Sequence, residues 1–337
     1  MKRAKHILSI VFPCVAMLML ILDSKTALLG AQIGLDLCIH TVIPSLFPFF
    51  VISILLTGVL SGSTVTILKP LLRFCKMPEG TESLLMVGLL GGYPVGAKCV
   101  HDAWNNWYIS KKEAQRCLGF CNNAGPAFIF GICSVLFQDA SAAWVIWGIH
   151  ILSALAVGNI LPAAEQRSAN IILTQRISLA KSMTKATTAM LGVCGWIILF
   201  RVVIAFAQHW FLWYLPTNLQ VIMEGILELT NGCTSLSSVE SEGIRFIICA
   251  GFLGLGGLCV GLQTISVVGE LGTGMFFPGK IIQCAISCCM ATAYAAVKYH
   301  ICSPTLPLLA MFITGMLLIL KKTVDFPQKG VYNVCKD

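Results

Sequence analysis

LLMVGLLGGYPVGAK (residues 84–98) and, after a polar bend, RCLGFCNNAGPAFIFG (residues 116–131) are the stretches that decide the fold. The apolar run Leu84–Leu90 is too short to cross about 30 Å of hydrocarbon and ends at glycines and a proline, which predicts a broken or re-entrant segment. The run Cys117–Phe137 is long enough to cross but carries Asn122, Asn123, Gly125 and Pro126 in its first half. Amides and freed backbone at that depth cost several kcal/mol unless they face protein or a wet cavity. Two interrupted segments side by side therefore form a candidate binding site.

The composition is that of a protein embedded in a membrane. Of 337 residues, 57% are hydrophobic and 11% are charged, and the mean hydropathy is +0.83. Water-soluble domains average about 25% charged residues. The sequence therefore predicts an all-α polytopic membrane protein, built as one integral domain with about eight transmembrane helices.

The N-terminal region predicts a membrane helix and a surface helix. The basic segment Met1–His6 precedes the apolar run Ile7–Leu22, but no small-residue cleavage site precedes Asp23, so a retained first helix is predicted rather than a signal peptide. Ala27–His40 has apolar residues at helical spacing with polar residues between them, which predicts an interfacial amphipathic helix. Val42–Leu60 is then expected to cross.

The remaining chain divides into apolar runs and one hydrophilic block. Further crossings are expected at Ala142–Leu161, Thr187–Ala207, Ile244–Val268, Ile281–Val297 and Pro304–Leu320. Ser110–Glu113 (SKKE) matches a capping box and should begin the helix that leads into the second interrupted stretch. The predicted units are the first transmembrane and interfacial helices (1–41), a first repeat (42–162), a cytoplasmic linker (163–186), a second repeat (187–298), and a last helix with a basic tail (299–337).

The second half repeats the plan of the first. Asn218–Leu236 is again a short apolar run, broken by Asn231 and Gly232. Each half has a crossing, an interrupted arm, a glycine-rich crossing and a further crossing, and Gly88–Leu90 corresponds to Gly225–Leu227. Three crossings separate equivalent elements, and because this number is odd the second unit is predicted to be inverted relative to the first.

The positive charges predict the orientation. With the N-terminus inside, nineteen lysines and arginines fall in inner segments, Lys280 among them, whereas only Lys25, Arg245 and Lys298 fall in outer ones. This positive-inside bias predicts a multi-pass protein of the bacterial cell membrane with both termini in the cytoplasm. Topology accounts for the net charge of +8, so no nucleic-acid partner is expected.

The sequence carries no motif for a metal, a cofactor or a catalytic reaction. Its sixteen cysteines include no CxxC pair, and most lie in apolar runs, where cysteine packs as a small hydrophobe. No serine–histidine–aspartate set, HExxH motif or phosphate-binding loop occurs. The expectation is a protein that is not an enzyme and has no cofactor.

Three stretches carry a family resemblance. GGYPVGAK, SKKEAQRCLGFCNNAGPAFIFG and GFLGLGGLCVGLQTISV resemble the YlbJ-like sporulation integral membrane proteins, which belong with the wider nucleoside-recognition (Gate) domain proteins. The resemblance covers the chain from about Ala27 to Leu320. It implies a bacterial protein of spore formers, associated with spore cortex formation, and kinship with the re-entrant hairpins of concentrative nucleoside transporters. It implies no substrate.

The candidate substrate-binding residues lie in the interrupted segments and in the second glycine-rich crossing. They are Gly92, Tyr93, Pro94, Gly96, Lys98, Asn122, Asn123, Gly125, Glu224, Glu228, Thr230, Asn231, Gln263 and Ser266. Intramembrane carboxylates and amides mark such sites by default, and unwound backbone offers N–H and C=O groups to a ligand.

Each candidate also has a structural interpretation. Lys98 would snorkel to the inner surface, and the asparagines would make interhelical hydrogen bonds. Glu224 and Glu228 are four residues apart, hence on one face of a helix, and would be interfacial or would pair with Arg201.

Inverted repeats with interrupted helices are typical of secondary transporters. The sequence therefore predicts transporter-like handling of a small solute or ion at a midplane site. The main alternative is a non-transporting scaffold or a partner of a spore cortex or export assembly, and a membrane enzyme is third. Membrane lipid is the expected partner, and a homo-oligomer is left open.

Overall fold

A computed structural model describes residues 2–60, 66–163 and 178–303, together with 305 and 307. Every regular element within these ranges is helical. The α-helices are α1 (Lys2–Leu22), α2 (Ser24–Leu37), α3 (Ile43–Leu60), α4 (Lys69–Phe74), α5 (Glu82–Leu90), α6 (Val95–Asn105), α7 (Lys111–Cys117), α8 (Pro126–Leu136), α9 (Ser141–Ile160), α10 (Leu179–Trp210), α11 (Thr217–Leu227), α12 (Leu229–Ser235), α13 (Glu242–Leu255), α14 (Gly257–Val268) and α15 (Phe276–Lys298).

Five stretches of the described chain are long and apolar enough to cross a membrane. They are Ser24–Leu56, Ser141–Ile160, Leu179–Trp210, Glu242–Leu271 and Phe276–Lys298. Pro13–Leu22 and Pro126–Leu136 are apolar but shorter. The chain is therefore a helical membrane protein. Of the eight crossings expected from the sequence, Pro304–Leu320 lies outside the described residues except for residues 305 and 307, and so do most of the linker (164–177) and the basic tail.

The N-terminal part of the fold differs from the sequence prediction. A π-helical turn, Cys38–Val42, joins α2 directly to α3, so the two form one continuous helix. Gly30 and Gly34 let α2 pack closely on α10, where a Cβ on Gly34 would lie 2.9 Å from the Cα of Ile198. The prediction of a separate interfacial helix at Ala27–His40 is therefore wrong, because small residues dock this segment onto another helix.

The first interrupted stretch forms a hairpin of α5 and α6, which we call the first hairpin. The predicted end of the helix at Gly91 is confirmed, and the turn that follows contains a cis peptide bond between Tyr93 and Pro94. Gly88 on α5 and Gly96 on α6 both face the backbone around Cys121, and a Cβ on Gly88 would lie 2.5 Å from the Cα of Cys121. The hairpin therefore clamps the backbone of the neighbouring segment.

The second hairpin consists of α11 and α12, which pack against each other. Its break lies at Glu228, which has an extended backbone (φ −145°, ψ 122°). Asn231 and Gly232, where the sequence predicted the interruption, lie inside α12. Glu228 and Glu224 consequently do not share a helical face as predicted, because the helix that carries Glu224 ends at Leu227.

Each hairpin is followed by a helix that is broken in its middle. In the first, α7 and α8 are separated by residues 118–125, and the predicted cap is confirmed, because the hydroxyl of Ser110 accepts a hydrogen bond of 3.2 Å from the amide of Glu113. In the second, α13 and α14 meet at Gly256 and Gly257, whose φ angles of +78° and +77° favour glycine. Side chains bond the backbone at both breaks, since Asn123 donates to the carbonyl of Phe120 and Tyr93 donates to that of Leu253.

Several contacts between elements have a counterpart in the other half. Helix α3 packs on α8 in the first half, and α10 packs on α14 in the second. Contacts across the halves also correspond: α6 packs on α14, α12 on α8, and α9 on α15. One hydrophobic core contains residues from both halves, so the two sets of helices are interlocked rather than side by side.

Two buried cations change the interpretation of the charge pattern. Lys280, assigned to an inner segment from the sequence, lies in α15 with 1% of its surface exposed. Arg116, in α7, is 2% exposed and pairs with Glu113 at 2.8 Å. Helix α10 also begins at Leu179, inside the stretch assigned to the linker. Lys280 and Arg116 therefore contribute to packing and to interior electrostatics rather than to the charge of the inner surface.

One ion pair connects the ends of two helices at the protein surface. Asp139, just before α9, contacts Lys298 at the end of α15 at 3.1 Å. Hydrogen bonds from the backbone and hydroxyl of Ser141 and from Lys298 lower the pKa of Asp139 to about 2. The carboxylate therefore stays charged at any ordinary pH.

Candidate functional site

A small cavity of about 40 Å³ lies where the tips of the two hairpins meet the first broken helix. We call it the central cavity. Its lining residues are Leu46, Gly92, Tyr93, Ala124, Gly125, Phe128, Val193, Ile197, Glu228, Leu229, Thr230, Val260 and Gln263. Six of the residues predicted from the sequence, from both halves of the chain, are therefore brought to one place.

A second cavity of about 770 Å³, the vestibule, opens beside the central cavity. It lies between α3, α6, α10 and α14, and Val193 and Gln263 line both cavities. Its polar lining residues are Lys98, Asp102, Asn106, Tyr108, Thr184, Lys185, Thr188, Gln263 and Ser266. The volume is in the range of cavities that hold small molecules.

The tip of the first hairpin approaches the broken helix at backbone distance. Gly92 has a φ of +77°, and a Cβ there would lie 3.5 Å from the amide nitrogen of Gly125. The hydroxyl of Tyr93 donates to the carbonyl of Leu253 at 3.5 Å, which connects this tip to α13. Pro94 lines the vestibule rather than the central cavity.

Asn122 connects the two halves of the chain. Its Oδ1 accepts a hydrogen bond of 3.1 Å from the amide of Ala97 in α6, and its Nδ2 donates to the hydroxyl of Thr264 in α14 at 3.0 Å. The side chain is fully buried and lines neither cavity. Asn122 therefore has the structural role, interhelical hydrogen bonding, that the sequence allowed as an alternative to ligand binding.

Asn123 is the centre of a second buried polar cluster. Its Nδ2 donates to the carbonyls of Gly88 at 2.9 Å and Phe120 at 2.6 Å. Its Oδ1 accepts from the ammonium of Lys280 and from the amide of Gln283, both at 3.0 Å. Lys280 was not predicted as a site residue, although a lone lysine directly before the apolar run Ile281–Val297 was a usable signal.

Glu228 forms the tip of the second hairpin and caps α12. Its Oε1 accepts from the amide of Thr230 at 3.0 Å, and its Oε2 accepts from the backbone and side-chain amides of Asn231 at 2.7 and 2.6 Å. The helix N-terminus and these donors stabilise a carboxylate that is 2% exposed. Glu228 and Thr230 line the central cavity. Asn231 does not line it, but it holds Glu228 in place through its two hydrogen bonds.

Replacing Glu228 with alanine is expected to lower stability by roughly 1–2 kcal/mol, the usual cost of losing an N-cap. The thermal midpoint of the purified protein would measure this loss. Glu240→Ala, which removes an exposed carboxylate from a loop of the same half, is the matched control and should leave the midpoint unchanged. Equal midpoints for Glu228→Ala and the wild type would contradict the capping role.

Glu224 belongs to a separate hydrogen-bonded chain. The amide of Gln208 donates to its Oε1, and the hydroxyl of Ser235 donates to its Oε2 at 2.5 Å. Arg201 donates to the Oε1 of Gln208 at 3.1 Å, so the predicted contact between Arg201 and Glu224 runs through that amide. Glu224 lines neither cavity, and its contacts tie α10 to the second hairpin.

The remaining predicted residues lie at the vestibule or support it. Lys98 pairs with Asp102 at 2.8 Å, and more than half of its side-chain surface is exposed. Ser266 lines the vestibule and donates to the carbonyl of Gln263 at 2.8 Å. Gly96 packs against the backbone of Cys121 and Asn122. In the described part of the chain, no three histidine, cysteine, aspartate or glutamate side chains are grouped closely enough to hold a metal ion.

Comparison with known proteins finds a relative among the sporulation membrane proteins. No protein-family model matches it. It is 28% identical to the sporulation integral membrane protein YlbJ of Bacillus subtilis (strain 168), with 75% of this chain and 74% of that protein covered. The chain is therefore similar to YlbJ over most of its length. No solved structure matches this YlbJ-like chain.

The geometry adds a candidate site to what this similarity shows. The relative is named an integral membrane protein of sporulation, and its name states no ligand or reaction. In the YlbJ-like chain, both hairpin tips and Gln263 of α14 surround one small cavity that adjoins a larger one. The polar groups that line the central cavity are therefore neutral hydrogen-bonding groups and one carboxylate, that of Glu228, which caps α12.

Proposed function

We propose that this protein moves a small solute across the cell membrane through the central cavity. The observation that carries this proposal is the pair of adjoining cavities, which share Val193 and Gln263 at the point where both hairpin tips meet. The vestibule is an entry route from one face, and the hairpin tips are the barrier toward the other. No chemical step is needed for this activity, so the proposal is a transporter and not an enzyme.

The recurring contacts support an inverted repeat with two re-entrant hairpins. Because α6 packs on α14 as α12 packs on α8, exchange between two equivalent arrangements of the hairpins would open the central cavity to either face. The positively charged vestibule rim, with Lys98 and Lys185, is assigned to the cytoplasmic face by the positive-inside rule.

The biological setting follows from the relative. YlbJ is named a sporulation protein, and we infer that the present chain also acts in the cell membrane during sporulation. The substrate is a solute small enough for the vestibule, with polar groups that meet Gln263, Thr230 and the capped Glu228.

A non-transporting scaffold is the second candidate, and one observation favours it. Asn122 and Asn123 are fully buried, and their amides are used in bonds between helices rather than turned to a cavity. Broken helices held in this way would also serve a protein whose role is to bind an assembly partner.

Accessibility to a small, membrane-impermeant thiol reagent distinguishes the two candidates. Native Cys99 lines the vestibule, and a Leu229→Cys variant places a thiol in the central cavity. Transport predicts that the reagent modifies Cys99 from the cytoplasmic side only, whereas it modifies Leu229→Cys from either side of oriented vesicles. Mass spectrometry identifies the modified cysteine.

Two internal controls accompany this measurement. Native Cys233 is fully buried, and Leu152→Cys would face lipid on α9, so neither should react from either side. If Leu229→Cys reacts from the cytoplasmic side alone, or not at all, while Cys99 reacts, the scaffold is favoured and the transport proposal fails.

A further inference from the structure

A buried lysine without an acidic partner lies between the two halves of the protein. The ammonium of Lys280 donates to Asn123 Oδ1 at 3.0 Å and to Gln283 Oε1 at 2.8 Å, and lies 5.4 Å from the ring centre of Tyr93. All three partners are neutral. Among the described residues, no carboxylate lies within ion-pair distance of Lys280. An uncompensated buried charge costs several kcal/mol, so a lysine used only for packing would be a poor choice here.

The elements that pack around Lys280 present few other ionisable groups. Helix α9 contributes His150, which is 1% exposed and whose two ring nitrogens have no hydrogen-bond partner among the described residues. The broken segment contributes Cys121, and the tip of the first hairpin contributes Tyr93. Helix α7 carries Glu113 and Arg116, which form an ion pair with each other at 2.8 Å. Helix α13 contacts α15 through Gly251 and Gly254, which have no ionisable side chain. The residues that these glycines meet are Cys284 and Cys288 of α15.

We propose that Lys280 is a proton-binding site that controls the tip of the first hairpin. The inference rests on the proposed transport function and adds a proton to it. The protonated amine offers three donors, two of which hold Asn123 and Gln283, and its charge attracts the face of Tyr93. The neutral amine keeps weaker hydrogen bonds and loses the attraction to the ring.

The connection to the central cavity is direct. Tyr93 lines that cavity, and its hydroxyl contacts the carbonyl of Leu253 at 3.5 Å. Asn123, the other partner, holds the carbonyl of Gly88 in α5 at 2.9 Å. Gly88 and Tyr93, on either side of the hairpin turn, are thus both connected to the ammonium of Lys280. Gly88 is connected through Asn123, and Tyr93 through its ring. Release of the proton loosens the tip, and binding of a proton holds it closed.

The first test needs no transport. The thermal midpoint of the protein in lipid nanodiscs is measured across pH for the wild type, Lys280→Met and Lys280→Arg. Arginine keeps its proton in proteins, so only the wild type can change charge at this position. The wild-type profile should contain a titration that is missing from both variants. Lys112→Met, which removes an exposed lysine on α7, should retain that titration, and so should His150→Gln.

The second test connects the proton to the cavity. The rate at which the thiol reagent modifies Leu229→Cys is compared between the wild-type and Lys280→Met backgrounds, since ionisation of the new thiol contributes equally to both. The ratio of the two rates should change by about fivefold or more between about pH 6 and about pH 9. A fivefold change is the lower end of the coupling usually found between two linked sites.

Several results would overturn the assignment. They are a wild-type titration that survives in Lys280→Met or Lys280→Arg, a titration lost in His150→Gln alone, and a ratio of rates independent of pH. Failure of the transport proposal is seen separately, as no modification of Leu229→Cys from one side of the membrane. In that case the thermal profile still decides whether Lys280 binds the proton.

Discussion

Replacing Gly232 with alanine is expected to destabilise the protein by about 3 kcal/mol, the upper end of the cost of overpacking a core. The new methyl group would meet the backbone of Gly225 on α11, which cannot move aside as a flexible side chain can. It would also lie 3.1 Å from the ring of Phe252 on α13. The second hairpin would have to open, and the thermal midpoint of the purified protein should fall accordingly.

The matched control is Gly195→Ala on α10. A Cβ at Gly195 meets nothing within 4 Å, so the same substitution adds no clash. Alanine is favoured over glycine in a helix by up to about 1 kcal/mol, and Gly195→Ala should be neutral or slightly stabilising. Similar midpoints for the two variants would contradict the close approach of α11 and α12.

Replacing Arg116 with methionine is expected to cost about 3–5 kcal/mol, as for other buried ion pairs that lose one member. The guanidinium donates to Glu113, to the carbonyls of Cys75 and Lys76 after α4, and to those of Gly158 and Leu161 at the end of α9. The variant leaves a carboxylate and several carbonyls buried without their donor. Reduced yield of folded protein and a lower thermal midpoint would measure the effect.

A second variant separates charge from packing. Glu113→Gln combined with Arg116→Met removes both charges and should recover part of the loss, because no unpaired carboxylate remains. Arg73→Met removes an exposed arginine on α4 and should have little effect. If the double variant is no more stable than Arg116→Met, the unpaired charge of Glu113 is not the cause of the loss.

Much of the local structure could be predicted from residue type. The end of α5 at Gly91 and the cap at Ser110 follow from glycine, proline and hydroxyl chemistry, which acts within a few residues. The sequence also predicts the same order of elements in the two halves. The candidate site was partly predicted, because the hairpin tips and Gln263 meet at the central cavity.

Other features depend on tertiary contacts that no local pattern contains. No glycine or proline marks the break at Glu228, where capping of α12 outweighs continuation of α11. The π-helical turn at Cys38–Val42 lies in a run that reads as ordinary helix. Counting charges assigned Lys280 to a loop, because hydropathy cannot distinguish a lysine in water from one held by Asn123 and Gln283.

The cross-connections between the halves have a consequence for biosynthesis. Asn122 and Asn123 leave the ribosome long before Thr264 and Lys280, which bond them in the finished protein. Until then the Nδ2 of Asn122 and the Oδ1 of Asn123 lack these partners in the bilayer, and each unsatisfied polar group there costs several kcal/mol. The early part of the chain therefore cannot mature alone, and its final assembly waits for α14 and α15 to be inserted.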